Sequence, residues 1–183
     1  AASDVYKRQV FVHNNAQIME RKMWQFILGS TGFILYFIYD INSVRMKNAV
    51  LQKFFAAGSI LVVVSLIAEL YAAWGSCHRK IGTMTGFGLG GFLFFCLLIY
   101  TLFFALPFEE TYCEENKLRA AYTEGMYGLC RHPGVLWFAG AYLCMWGMVG
   151  GWKQGIYFFL MIFWNYLYII FQDLWTFPRT FFN

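Results

Sequence analysis

The chain has 183 residues, of which 60% are hydrophobic, 22% aromatic and only 13% charged, with a formal net charge of +4. A soluble fold of this size cannot hide so many apolar side chains, because too much of its volume lies near the surface, whereas a bilayer surrounds the outer face with lipid instead of water. The basic residues are scattered among connectors, which argues against a nucleic-acid interface; five cysteines without a C-x-x-C pair, beside three histidines, argue against a zinc site.

Taken from the N-terminus, Ala1–Gln9 (AASDVYKRQ) resembles translated sequencing adapter and is set aside as non-native. Five apolar stretches then approach the ~20 residues that cross about 30 Å of hydrocarbon. They are Met23–Ile41, Phe54–Trp74, Met84–Leu106, Pro133–Trp152 and Gly155–Phe171. The expected fold is therefore all-α, a polytopic transmembrane helical bundle of about five spans. Residues 10–183 form one domain, and the abrupt end at Arg179–Asn183 adds the expectation of truncation at both ends.

Glu69 lies inside the second stretch. A carboxylate there either serves a site or snorkels toward the interface near Trp74. In the third stretch, Gly86-Phe-Gly-Leu-Gly-Gly91 matches G-x-G-x-x-G, but no strand precedes it, so a dinucleotide loop is rejected. The spacing Gly82, Gly86, Gly90 predicts instead a face where two helix backbones approach closely. Most of the cysteines (Cys77, Cys96, Cys113, Cys130 and Cys144) sit in or beside apolar runs, as small buried hydrophobes do.

The connector 107–132 differs from the others. It carries Glu109, Glu110, Glu114, Glu115 and Glu124, half of the chain's 10 acids. Pro107, the early acids, the Glu115–Arg119 spacing and Gly125 predict a short surface helix over about Phe108–Tyr122, ahead of the fourth span. Five spans place this connector, residues 42–53 and the C-terminus on one side, and the basic residues lean that side toward the cytoplasm.

At the end of the connector, Arg131-His132-Pro133-Gly134 opens the fourth span. Proline suits the first helical position. The N–H groups of Gly134, Val135 and Leu136 would face out of the membrane and, with Arg131, favour an anion. His132 adds a donor or acceptor. The plainer account is a topology anchor followed by an ordinary helix start. In the fifth span Asn165 and Gln172 lie seven apart on one face, running toward Asp173 and toward the same side.

Gly125-x-Tyr127-x-x-x-Arg131-His132-Pro133 resembles the G-x-Y-x-x-x-R-H-P motif of the isoprenylcysteine carboxyl methyltransferase and phospholipid methyltransferase superfamily. Leu106–Tyr112 and Gln172–Pro178 resemble its bacterial membrane branch, and the likeness covers about Leu102–Phe182. The resemblance implies a methyltransferase-like domain that uses S-adenosylmethionine and needs no metal. Gly125, Tyr127, Arg131, His132, Pro133 and Gly134 would bind the cofactor, and Arg131 and Asp173 would be catalytic. The acceptor would be a lipid or lipidated small molecule, either an isoprenylcysteine-like carboxylate or a phospholipid amine. The place would be the bacterial inner membrane, with the active site facing the cytoplasm. Val135 departs from the family, which often has tyrosine there, and the family's polar tail after the last helix is missing. Two other classes remain open: an NADPH-dependent enzyme like the sterol reductases, and a non-catalytic membrane protein.

Overall fold

The structure, a computed structural model, describes residues 23–75, 77, 79–104 and 132–181. These residues form helices, with no strand among them. The surface helix expected over about Phe108–Tyr122 lies outside the described residues, as do Ala1–Gln9.

The first helix, α1, covers 23–41 and runs into a π-helical turn at Asn42–Met46. A four-residue helix, α2 (Ala49–Gln52), leads into α3 (Phe54–Trp74). Helix α4 (Ile81–Phe103) follows, then α5 (Pro133–Val149) and α6 (Trp152–Phe171). A second π-helical turn, Gln172–Thr176, continues into α7 (Phe177–Phe181). Among the described residues four helices are long and apolar enough to cross a membrane: Met23–Met46, Ala49–Trp74, Ile81–Leu102 and Trp152–Arg179. Helix α5 has 17 residues. It rises about 25 Å, at the short limit for a fifth crossing. The protein is a helical membrane bundle.

Several boundaries move from their expected places for local reasons. Lys80 is extended, and its carbonyl accepts from Thr83 N at 3.0 Å and Met84 N at 3.1 Å, so α4 starts at Ile81. Helix α5 stops at Val149 because Gly150 (φ 71) and Gly151 (φ 80) take a backbone that side chains rarely adopt. Trp146 Nε1 donates to the Gly151 carbonyl at 2.8 Å, and α6 starts again at Trp152. The result is a two-residue hairpin between antiparallel helices.

Helix α4 packs along α5, and α5 packs along α6 and touches α3. Helix α1 lies against α3 and α6. Phe33 is fully buried and edge-on to Phe138, and its ring stacks on Trp164. Phe33, Val62, Phe138, Tyr142, Phe158 and Met161 make one core. Outside it, Ile60, Ile67, Phe92, Leu93 and Phe163 are exposed, an apolar outer wall that suits lipid.

The glycine expectation is corrected at two of its three positions. A Cβ placed on Gly82 or Gly86 would meet nothing within 4 Å. On Gly90 it would lie 3.3 Å from Cys144 Sγ and on Gly91 2.7 Å from Met145 Cε, so of the expected stripe Gly90 faces α5 while Gly82 and Gly86 are rotated away from it. The tightest backbone approach is between α1 and α3. A Cβ on Gly32 would lie 2.8 Å from the Gly58 carbonyl oxygen, and one on Gly58 would lie 2.7 Å from that of Gly32. Neither glycine is part of the four-residue repeat.

Candidate functional site

The two π-helical turns lie at the same end of the bundle, where α1 and α6 finish and α3 and α5 begin. Such turns add a residue to the helical cycle, turn the side chains that follow, and recur at functional sites. In the first, Lys47 N–H donates to the Asn42 carbonyl at 2.8 Å, and Lys47 takes a left-handed backbone. The fully buried Asn42 side chain steadies this turn: Nδ2 donates to the Asn48 carbonyl at 3.0 Å and Oδ1 accepts from Asn48 N–H at 2.9 Å.

The second turn sorts its residues onto two sides. Gln172 and Thr176 face α1. There Asp40, only 3% exposed, takes side-chain hydrogen bonds from Gln172, Tyr168 and Thr176, the last at 3.5 Å. Gln172 also donates Nε2 to the Tyr168 hydroxyl at 2.8 Å. Asp173 and Phe177 face the start of α5 instead. His132 Nε2 lies 3.0 Å from Asp173 Oδ1 and 3.1 Å from Oδ2, and its ring lies parallel to Phe177 with centroids 5.8 Å apart.

The chemistry of the pair follows from its partners. With a proton on Nε2, His132 donates to the Asp173 carboxylate, and Nδ1 is the ring's other polar atom. The His132 side chain is 19% exposed and that of Asp173 31% exposed. Both can therefore touch a ligand, whereas Asp40 cannot without displacement.

Among the residues expected to form the site, His132 and Asp173 come together, although 41 positions separate them. Gly125, Tyr127 and Arg131 lie outside the described residues. Pro133 occupies the first turn of α5 and is fully buried. A Cβ on Gly134 would point to Leu98 Cδ1 at 3.7 Å, so this position faces α4. The expected row of free N–H groups is shortened, because Val135 N–H already donates to the His132 carbonyl at 3.2 Å. Asn165 keeps a buried Oδ1 with no hydrogen-bond partner among the described residues.

Asp40, Tyr168 and Thr176 were not singled out by sequence reasoning. A signal for Asp40 existed: it is a carboxylate in the last turn of an apolar span, where an ionisable residue is costly enough to suggest a role. Glu69 is 2% exposed, so it does not snorkel to the interface. It belongs to a second polar group nearer the opposite end. There Ser65 Oγ lies 2.6 Å from the Gln25 carbonyl and 2.6 Å from the Tyr157 hydroxyl, and Gln25 Nε2 donates to the Ala68 carbonyl at 3.0 Å.

Compared with family models, curated proteins and solved structures, the chain matches none.

Proposed function

We propose that the protein is an S-adenosylmethionine-dependent methyltransferase acting on a lipophilic, membrane-embedded acceptor at the end of the bundle that holds His132 and Asp173. The observation that carries this reading is the His132–Asp173 hydrogen bond, 3.0 Å long and partly exposed. It joins the two described polar residues for which the resemblance implied a role, one in the R-H-P motif and one after the last long helix.

The donor set fits the cofactor's polar groups. A carboxylate suits an ammonium or ribose hydroxyls, and aromatic faces suit a sulfonium cation. When bound, the cofactor supplies an activated methyl group for in-line displacement, and positioning supplies much of the rate. His132 orients Asp173 through its Nε2 contact. An amine acceptor sheds a proton, which the Asp173 carboxylate or Nδ1 of His132 can take; a carboxylate acceptor needs no base. Arg131, adjacent in sequence, adds a forked cation for the cofactor's carboxylate. The acceptor is an isoprenylcysteine-like carboxylate or a phospholipid amine, entering laterally from the bilayer. The exposed cations Arg45, Lys47, Lys53 and Arg179 at this end, against Arg79, Lys80 and Lys153 at the other, lean this face toward the cytoplasm; a bacterial inner membrane is what the resemblance implies.

Titration calorimetry with S-adenosylmethionine and NADPH tests the reading, together with transfer of labelled methyl groups into a lipid extract. Binding of S-adenosylmethionine, weakened about 10- to 150-fold by Arg131→Ala, supports it; this range corresponds to losing a charge-assisted hydrogen bond of about 1.5–3 kcal/mol. Binding of NADPH alone moves the protein to the reductase class. Binding of neither overturns an enzymatic role at this site.

A further inference from the structure

Outside the His132–Asp173 pair, the same end of the bundle gathers cations in an unusual way. Arg45, in the π-helical turn after α1, places its guanidinium carbon 4.8 Å from the centroid of the Trp175 ring. Arg179, one helical turn past Trp175, places its own at 3.7 Å and donates Nη1 to the Trp175 carbonyl at 3.0 Å. One guanidinium satisfies a cation–π contact. A second brings two like charges to a single indole, which repel unless an anion or water screens them. Among the described residues neither guanidinium meets a carboxylate: the described ion pair is His132–Asp173, and Asp40 is buried against Thr176. Lys47 and Lys53 are exposed at the same end and add to the positive field.

The depth of this group is set by the spans. Met23–Met46 ends one residue past Arg45, and Arg179 lies in α7 (Phe177–Phe181), about 40 Å along the apolar helix that starts at Trp152 and so beyond about 30 Å of hydrocarbon. Both arginines therefore sit where hydrocarbon gives way to headgroups, the level at which tryptophan is also enriched. Beside the indole, Leu174 is 74% exposed and available to an acyl chain. Trp175 Nε1 is buried with no hydrogen-bond partner among the described residues.

We infer that Arg45, Trp175 and Arg179 form a headgroup site for an anionic phospholipid. The two guanidiniums supply forked donors to the phosphate, the indole holds them at a fixed spacing, and Leu174 meets the first acyl carbons. Lys47 and Lys53 draw anionic lipid toward this face without shaping the site. The inference does not rest on the methyltransferase reading, because lipid binding is measured without cofactor.

Native mass spectrometry of the full chain in detergent, titrated with phosphatidylglycerol and separately with phosphatidylcholine, tests it. The first phosphatidylglycerol should bind about tenfold or more tightly than phosphatidylcholine, if each arginine contributes about fivefold. Arg45→Gln and Arg179→Gln should each lower phosphatidylglycerol binding about fivefold and leave phosphatidylcholine binding unchanged. Arg179→Lys, which keeps the charge and spares the fold, should retain part of the preference. Equal binding of the two lipids by the wild type would overturn the site. So would a preference that survives Arg45→Gln and Arg179→Gln, or one that Lys47→Gln with Lys53→Gln abolishes as completely.

Discussion

Toward the end where α1 begins and α3 and α5 finish, Gln25, Ser65, Glu69 and Tyr157 are at most 6% exposed and close on one another. At the opposite end His132 and Asp173 make a hydrogen bond of 3.0 Å but keep 19% and 31% of their side chains open. Both groups put polar side chains where apolar ones would pack more cheaply. In the closed group Ser65 joins α3 to both α1 and α6, and Gln25 Nε2 bonds the Ala68 carbonyl although its Oε1 has no partner among the described residues. The open pair joins the start of α5 to the turn after α6 and stays partly accessible from outside. The difference separates polarity that holds helices in register from polarity that can receive a ligand.

The largest effect on stability is expected at the glycine crossing of α1 and α3, which lies between the two polar groups. Gly32→Leu should lower stability in detergent by about 3 kcal/mol, because the new side chain would drive into the Gly58 carbonyl and separate α1 from α3. Chemical unfolding followed by circular dichroism measures it. A loss below about 1 kcal/mol would mean that α1 and α3 do not cross as closely as described.

The open half should respond through binding rather than stability. Asp173→Asn removes the negative charge and changes the partner of His132, while leaving a side chain of the same size. Affinity for S-adenosylmethionine should fall by about 1.5–3 kcal/mol, with the unfolding midpoint nearly unchanged, since exposed ion pairs add about 0–1 kcal/mol. Calorimetry and unfolding on the same sample distinguish the two effects. A large loss of stability with intact binding would make the pair a structural clamp and erase the contrast between the ends.

A smaller effect is expected at Tyr157. Tyr157→Phe removes the hydroxyl that meets Ser65, and should lower stability by about 1 kcal/mol with cofactor affinity unaltered. Altered affinity would show that the closed group communicates with the open end. The smallest effect is expected at Gly86→Leu. A Cβ there meets nothing within 4 Å, so stability should change by no more than about 0.5 kcal/mol. A loss above about 1 kcal/mol would restore the four-residue glycine stripe as a packing face.

Composition and apolar run length determined the class of this protein by themselves. Lipid exposure is an additive property of a stretch of sequence, so Met23–Ile41, Phe54–Trp74 and the later stretches are recognisable without knowing their neighbours. Pro133 likewise marks a helix start by its own chemistry, and the observed α5 begins there. His132 and Asp173 were individually legible as polar residues at span ends, on one side of the membrane.

Only the tertiary structure decided which residues meet. The pairing of His132 with Asp173, the burial of Asp40 under Thr176, and the arrival of two arginines at Trp175 all follow the π-helical turns. An inserted residue shifts the helical phase, so a periodicity read through Gln172–Thr176 assigns the wrong faces. The glycines illustrate the same limit. Regular spacing marked Gly82, Gly86 and Gly90, of which Gly90 meets α5, yet two backbones come closest at Gly32 and Gly58, because which small residue matters is set by where two helix axes cross. That crossing is a property of the pair of helices and of the turns that deliver them, and no single helix encodes it.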